Sequence, residues 1–220
     1  MAQINKTTLE FLNGLKFNNN REWFLKNQSG YREAKSNFEA FVQAVINEIA
    51  AFDPIIRGLE VKNCVYRINR DIRFSNDKTL YKSHLGAFIV RGGKKNGDKF
   101  AGYYFHIEPG KSMIAGGAYM PLSPWLSAIR ENINDEPGKF LKIISEKSFI
   151  KYFDQIEGEK LKSAPKGYAA DHPQIDLLKF KSFLVTSDVA DEDVLAPEFI
   201  NHVVSVFKAM KPFNDFLSSY

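Results

Sequence analysis

The hydrophobic positions follow a helical spacing at both ends of the chain and an alternating spacing in the middle. From Tyr31 onward the apolar residues recur at three- and four-residue steps, which predicts one long amphipathic helix that ends before Pro54. Upstream, the capping-box pattern Thr7-x-x-Glu10 predicts a first short helix. A run of three asparagines then predicts the N-cap of a second helix, which contains Trp23.

The middle of the chain reads as strands joined by short, glycine-containing turns. Strands separated by such short turns must run antiparallel. The basic turn 92–97 is interpreted as a solvated hairpin tip. The predicted strands are Val61–Ile68, Leu85–Arg91, Phe100–Ile107 and Ser112–Met120.

Helical spacing returns after residue 122. Prolines at 124, 137 and 197 predict helix starts, because proline is favoured in the first turn, and Pro212 predicts a break or kink in the last helix. Between these helices we expect a short helix at Ile175–Phe180 and a short strand at Phe183–Thr186. The sequence therefore predicts an α+β fold: an antiparallel sheet of about four to six strands flanked by N-terminal and C-terminal helices. No linker or repeat interrupts the pattern, so we expect residues 1–220 to form a single domain.

Composition narrows the class of protein. The chain has 220 residues, 44% of them hydrophobic and 14% aromatic, which suits a folded domain rather than a disordered one. Its one cysteine, Cys64, excludes an intrachain disulfide and a cysteine-based zinc site, which favours a reducing, cytoplasmic location. The polar N-terminus does not resemble a secretory signal, and the lack of an apolar run of about 18 residues predicts no membrane span.

Charge is distributed unevenly along the chain. The net charge is only +4, but residues 57–99 carry eleven Lys or Arg against four Asp or Glu, and residues 186–200 carry five acids and no base. A basic segment of this kind attracts phosphate groups or nucleic acid. The modest total weakens the case for nucleic acid, which therefore stays an alternative.

The densest charge lies in residues 66–82. Guanidinium groups bind carboxylates and phosphates bidentately, and lysines add point charges, so these side chains would form an anion site if they converged. In the alternative interpretation, Asp71 and Asp77 pair with the basic residues and brace a loop across the sheet. The brace predicts that Arg73→Ala costs a few kcal/mol of stability, as the loss of one partner of a buried pair does. The basic candidates for the anion site are Arg67, Arg70, Arg73, Lys78 and Lys82.

Two further features complete the predicted ligand site. Tyr81 or Tyr119 would stack on the ligand or form hydrogen bonds with it. Gly116 and Gly117 would let the backbone approach it closely, although packing against a large neighbour such as Trp125 explains the two glycines equally well.

Candidates for catalysis are few. Asp77 and His106 are the groups best suited to act as a general base. The four histidines lack metal-binding spacing, so we expect neither a metal nor a cofactor. Ser75-x-x-Lys78 matches a pattern of serine acyl enzymes, but the companion motifs of those enzymes are absent. Whether the protein is an enzyme is left open.

Four sequence motifs stand out along the chain. They are Asn-Asn-Arg-Glu-Trp-Phe at 19–24, Arg-Asp-x-Arg-Phe-Ser-x-Asp-Lys-x-x-Tyr-Lys at 70–82, Gly-Gly-x-Tyr at 116–119 and Pro-Lys-Gly at 165–167. Together they resemble a widespread family of bacterial and fungal proteins classed as a domain of unknown function. The similarity runs from about Phe11 to Phe216 and implies a full-length, single-domain member. It implies no activity, substrate or cofactor, but it marks residues to test, including Arg130 and Lys166.

Three functions fit these observations. The first is binding, with turnover left open, of a small anionic and phosphorylated ligand at the basic cluster in residues 66–82. The second is a nucleic-acid-binding module, which predicts affinity that falls steeply with salt. The third is a protein-interaction or scaffold domain in which the charged motif is a structural brace. The oligomeric state is left open.

Overall fold

A computed structural model describes residues 2–73 and 76–219. Helices lead and close the described chain, and a sheet stands between them, as predicted. The helices are α1 Lys6–Phe17, α2 Arg21–Lys26, α3 Gln28–Phe52, α4 Ser123–Asp135, α5 Pro137–Ser145, α6 Lys147–Ile150, α7 Ile175–Leu178, α8 Asp191–Leu195 and α9 Phe199–Leu217. The strands are β1 Leu85–Ile89, β2 Gly102–Ile107, β3 Ser112–Ala118 and β4 Phe183–Val189.

The strands form one antiparallel sheet in the order β1-β2-β3-β4, within the described residues. The α+β prediction, with an antiparallel sheet between N- and C-terminal helices, is confirmed. Leu85 pairs with Ile107, Phe105 with Ile114, and Ala118 with Phe183. Because side chains alternate along a strand, this register gives each strand one side facing the helices and one side facing away.

The helix-packed face of the sheet holds the core. Phe105 of β2 contacts Phe38 and Phe41 of α3, with ring centroids 5.5 and 5.8 Å apart. Tyr103, two residues earlier on the same face, packs on Phe207 of α9. All five rings are buried. The apolar stripe of α3 that the sequence predicts is therefore the stripe that covers the sheet.

Local chemistry explains the start of α2 but not that of α1. Asn20 caps α2 as predicted, its side chain accepting a hydrogen bond from the Trp23 amide at 2.9 Å. The predicted capping box at Thr7 is wrong, because α1 begins one residue earlier and the Thr7 hydroxyl instead donates to Glu33 at 3.2 Å. The Thr7 hydroxyl, which the local pattern predicts as the helix cap, therefore forms a tertiary hydrogen bond to α3 instead.

Two other predictions need correction. Residues 61–68 do not form a regular strand: Val61–Asn63 is a 3-10 turn, and only Val65 makes an isolated bridge, to Ala87 of β1. The predicted break at Pro212 is absent, since α9 continues to Leu217, whereas the alternative, a kink at this residue, stays a prediction. Proline removes one helical hydrogen bond, and burial of α9 residues on both sides of it, such as Met210 and Phe213, offsets that loss.

Candidate functional site

A cleft of about 610 Å³ lies on the face of the sheet opposite α3 and α9. We call this side of the sheet the cleft face. Its floor comes from the alternate residues of all four strands, and its walls come from the segments before β1, after β1 and after β3. The lining comprises Tyr66, Lys82, His84, Phe88, Lys94, Lys95, Gly97, Asp98, Tyr104, Met113, Ala115, Gly116, Gly117, Tyr119, Met120, Leu184 and Thr186.

Tyr104 is the central aromatic group of the floor. Its ring leans over β1, where a β-carbon added to Gly86 would lie 3.1 Å from the tyrosine hydroxyl. The Tyr66 ring stands edge-on to it, with centroids 6.5 Å apart. Burial raises the pKa of the Tyr104 hydroxyl far above its ordinary value, so the group stays protonated at neutral pH.

One part of the cleft wall is cationic. Lys82 lies over the Tyr66 ring at 5.1 Å and donates to the Arg67 carbonyl at 3.0 Å. Burial, followed by the charges of Arg67 and Arg70, lowers its pKa. The lining contains three lysines and one carboxylate, so the local charge favours an anion. The lysines are Lys82, Lys94 and Lys95, and the carboxylate is Asp98.

Two histidines lie beside the floor with their rings stacked at 4.9 Å. His84 lines the cleft, with Nδ1 3.8 Å from a Glu108 carboxylate oxygen, and Ser83 donates to the other oxygen at 2.5 Å. Burial, and then the neighbouring His106, lowers the pKa of His84 to about 4 despite Glu108. At neutral pH His84 is therefore uncharged.

The tautomer of His106 follows from its two hydrogen bonds. Nε2 lies 2.7 Å from the Lys111 carbonyl, which only accepts, so neutral His106 carries its proton on Nε2. Nδ1 must then accept from the Tyr104 hydroxyl at 2.9 Å. The Tyr104 oxygen is thus left with acceptor capacity. His106 lines a neighbouring hollow of about 540 Å³ that shares Met113 with the cleft.

Four of the predicted ligand residues line the cleft: Lys82, Gly116, Gly117 and Tyr119. Lys82 belongs to the cationic part of the wall, and Tyr119, just after β3, is 61% exposed. Lys82 is more than thirty residues away from the other three in the chain. Their assignment to a ligand stays a prediction, and their location agrees with it.

The arginines of the 66–82 segment are placed differently. They belong to a segment, called here the basic hairpin, in which Asn69 and Tyr81 form an isolated antiparallel β-bridge. Arg70 pairs with Asp77, and Arg73 binds Asp71 through two nitrogens at 2.6 and 2.9 Å. Arg67, Arg70 and Arg73 do not belong to the residues that line the cleft. The Arg–Asp pairs are the arrangement that the brace interpretation anticipates.

The remaining members of the motif also make local contacts. Lys78 donates to the Ile72 carbonyl at 3.2 Å. Asp77 accepts from the Thr79 amide, and that bond together with Arg70 lowers its pKa to about 2, which makes it a weak base. Tyr81 is buried and stacks on Phe24 at 4.1 Å, away from the cleft lining. Ser75 lies outside the described residues.

The paired glycines have a packing explanation. A β-carbon on Gly116 would lie 2.1 Å from the Met210 sulfur of α9 and 2.5 Å from the Gly102 carbonyl. Gly117 has a φ of 111°, and a β-carbon there would meet the Phe183 carbonyl at 2.0 Å. The absence of a side chain thus lets α9 and the backbone of β2 approach Gly116, and lets the backbone of β4 approach Gly117. The large neighbour is Met210, in the place where the sequence interpretation suggested Trp125.

Sequence reasoning missed most of the cleft. Tyr104 and Tyr103 are adjacent, and only the strand register decides which of them faces the cleft. The lysines 94 and 95 were interpreted as a solvated turn, yet both line the cleft, and Lys94 donates to the Lys62 carbonyl at 2.9 Å. The alternating pattern of β2, with polar His106 two residues after Tyr104, is the signal that marks this face. The missed residues include Tyr66, His84, Phe88, Lys94, Lys95 and Tyr104.

Comparison with known proteins gives a family and no function. A family model described as a conserved hypothetical protein, DUF2461, matches residues 7–216. The chain belongs to this family. The match confirms the resemblance inferred from the motifs and covers the sheet, the cleft and both sets of flanking helices. No curated protein and no solved structure matches the chain.

The described residues offer neither a membrane-spanning helix nor a clustered metal site. Between residues 2–73 and 76–219, no helix has the length and apolar character to cross a membrane. Across the same ranges, no group of three or more His, Cys, Asp or Glu side chains is arranged to hold a metal ion. The side chains that line the cleft include lysines, a histidine and tyrosine hydroxyls.

Proposed function

We propose that the cleft binds a small ligand that combines a flat, apolar body with an anionic group, foremost a phosphate. The observation that carries this proposal is the coexistence, in one cleft, of an aromatic floor and a cationic wall. Tyr66 and Tyr104 offer ring surface, and Lys82 offers charge. The sequence hypothesis of a small anionic ligand is kept, but its site moves from the arginine hairpin to the cleft face.

The size and shape of the cleft support a small molecule. A volume of about 610 Å³ falls within the range of about 300–1,000 Å³ typical of ligand pockets. Apolar and aromatic side chains form the floor, with a few polar groups among them, which is also typical of such pockets. The Tyr104 hydroxyl donates its hydrogen bond to His106, so its oxygen would accept a hydrogen bond from the ligand.

The charge pattern supports an anionic group. Asp71 and Asp77, the nearest acids of the basic hairpin, are bonded to arginines within that hairpin. Lys82 instead uses a neutral carbonyl as its acceptor. Burial, and then the charges of Arg67 and Arg70, lower the pKa of Lys82, and an anion beside this lysine would favour its charged form.

Single-stranded nucleic acid is the second candidate, favoured by one observation. Two exposed tyrosines, Tyr66 and Tyr119, lie on the same side of a sheet as the lysines of the cleft, and such surfaces stack bases while tracking phosphates. Affinity for a polynucleotide would fall steeply with salt, whereas a small ligand held mainly by the aromatic floor would lose little.

A thermal-shift screen with nucleotides, aryl phosphates, aromatic carboxylates and short oligonucleotides tests both candidates. A ligand at 100 times its dissociation constant stabilises the fold by about 2.7 kcal/mol. That is a shift of about 5–10 °C for a chain of this size. Lys82→Met keeps the apolar stem and removes the charge, and Lys142→Met on the exposed side of α5 is the matched control.

The proposal expects a shift from one anionic aromatic class that Lys82→Met reduces and Lys142→Met does not. A shift from oligonucleotides alone, abolished at high salt, would support the second candidate instead. If no compound shifts the melting temperature, or if both variants respond equally, the cleft is not an anion site.

A further inference from the structure

We propose a second anion-binding site, separate from the cleft, in a polar hollow between α4 and the loop 165–172. The hollow has a volume of about 380 Å³. It brings Arg130 together with Lys166, two residues that the family resemblance marked without assigning a role. The lining is Ser127, Arg130, Glu131, Asn134, Lys166, Gly167, Tyr168, Ala169 and His172.

The guanidinium of Arg130 is fixed along one edge and unused along the other. Nε donates to the Leu178 carbonyl at 2.8 Å, and Nη2 donates to the Phe180 carbonyl at 3.0 Å. Those two bonds occupy the side edge of the planar group. Three of its five N–H donors remain, including one on each terminal nitrogen, and these two form the fork that grips a carboxylate or phosphate bidentately.

Arg130 has no carboxylate partner among the described residues. Both of its bonds go to neutral carbonyls, and burial lowers its pKa, although an arginine remains charged. Charged groups that lose contact with water are usually paired with an opposite charge. The carbonyl bonds hold the Arg130 guanidinium in place without neutralising it, so an anion bound in the hollow would supply the counter-charge.

The rest of the hollow suits a small oxyanion. Lys166 is exposed and makes no hydrogen bond or ion pair within residues 2–73 and 76–219. Ser127 and Tyr168 bring hydroxyl groups. Glu131 is the opposing charge in the lining, so two cations face one carboxylate.

The fixed tautomer of His172 adds no further charge. Its Nδ1 accepts from the Gln174 amide at 3.0 Å, so Nε2 carries the proton and donates to the Asn134 side-chain oxygen, also at 3.0 Å. The ligand class that follows is a small molecule presenting one carboxylate or phosphate group.

The test is observation of the Arg130 Nε–Hε signal by NMR while inorganic phosphate or acetate is added at constant ionic strength with chloride. Saturable movement of this signal is expected, and the stronger of the two anions separates a phosphate site from a carboxylate site. Lys166→Met should weaken binding up to about fivefold, the value of one exposed charge pair. Lys162→Met, at an exposed position just before the loop and outside the hollow, should leave binding unchanged.

Arg130→Lys should reduce affinity by more than about tenfold, since it removes the charged fork. That substitution also removes ties to two carbonyls. If it unfolds the protein, the Arg130 signal and the Lys166→Met variant decide the question. An Arg130 signal that neither anion moves, or an affinity that Lys166→Met leaves unchanged, would overturn the proposal. Lys82→Met should not alter this binding, so the two sites succeed or fail separately.

Discussion

The same four strands form both faces of the central sheet, but one face is packed against helices and the other lines the cleft. On the helix-packed face Phe105 is buried among aromatic rings of α3 and α9. One residue earlier, Tyr104 leaves its ring only partly covered and joins two histidines and a cationic wall. Burial of apolar area supplies the stability of the first face. The second face holds the polar and charged groups that such a core excludes.

This difference between the two faces indicates that the functional residues of this fold lie on the cleft face. Residues that touch the helices are explained by packing, including the glycine pair of the family motif. Residues that face the cleft have no comparable structural explanation: Lys82 is bonded to a carbonyl, and His84 is neutral and only loosely paired with Glu108. Substitutions on the two faces should therefore separate stability from binding.

The largest effect is expected from Phe105→Ala on the helix-packed face. Loss of a fully buried phenyl ring should cost about 3–5 kcal/mol of unfolding free energy, because a cavity remains among the helices. Denaturant unfolding measures it, with Tyr104→Phe as the partner variant on the cleft face. A Tyr104→Phe loss as large as that of Phe105→Ala would contradict the division between the two faces.

The next effect concerns His84 and pH. Its pKa of about 4 in the folded protein lies below the ordinary value of 6.5, so the unfolded chain binds more protons in this window. Stability should therefore fall as pH falls from about 6.5 to 4, by at most about 3 kcal/mol from this residue. Unfolding measured at several pH values should show a smaller loss in His84→Gln. Equal losses in wild type and variant would mean that His84 is not held neutral by burial.

Gly116→Ala should cost about 1–3 kcal/mol, since the added methyl group overlaps Met210 and a backbone carbonyl. Gly138→Ala in α5 is the matched control: its β-carbon meets nothing within 4 Å, and alanine is favoured over glycine in a helix by about 0.5–1 kcal/mol. Opposite signs for the two variants in thermal unfolding are expected. A neutral Gly116→Ala would remove the packing explanation and return this glycine to the ligand site.

The smallest effect is expected from Arg73→Ala. Its side chain is 75% exposed and pairs with Asp71 only two residues away, and exposed pairs contribute little to stability. The melting temperature should scarcely change, in contrast to what a buried brace requires. A large decrease, with Lys142→Ala unchanged as control, would show that the hairpin supports the fold after all.

Much of the fold could be predicted because its signals are local. The stripe of α3, the asparagine cap of α2, the proline-led α5 and the antiparallel pairing of β2 with β3 all depend on residues that are close in the chain. The predictions that failed involve competition from distant groups. Glu33 takes the Thr7 hydroxyl from its expected cap, and residues 61–68 meet β1 at only one bridge.

The fold class, the family motifs and the concentration of positive charge in residues 57–99 can all be read from the amino-acid sequence. Which of those charges line a cavity depends on contacts between distant segments. Arg70 and Arg73 form ion pairs with aspartates a few residues away, whereas Lys82 lines the cleft together with Lys94 and Tyr104 from other segments. A strand shows alternate residues to opposite faces, and the segments that meet on one face come from distant parts of the chain, so tertiary contacts select the side chains that form a site.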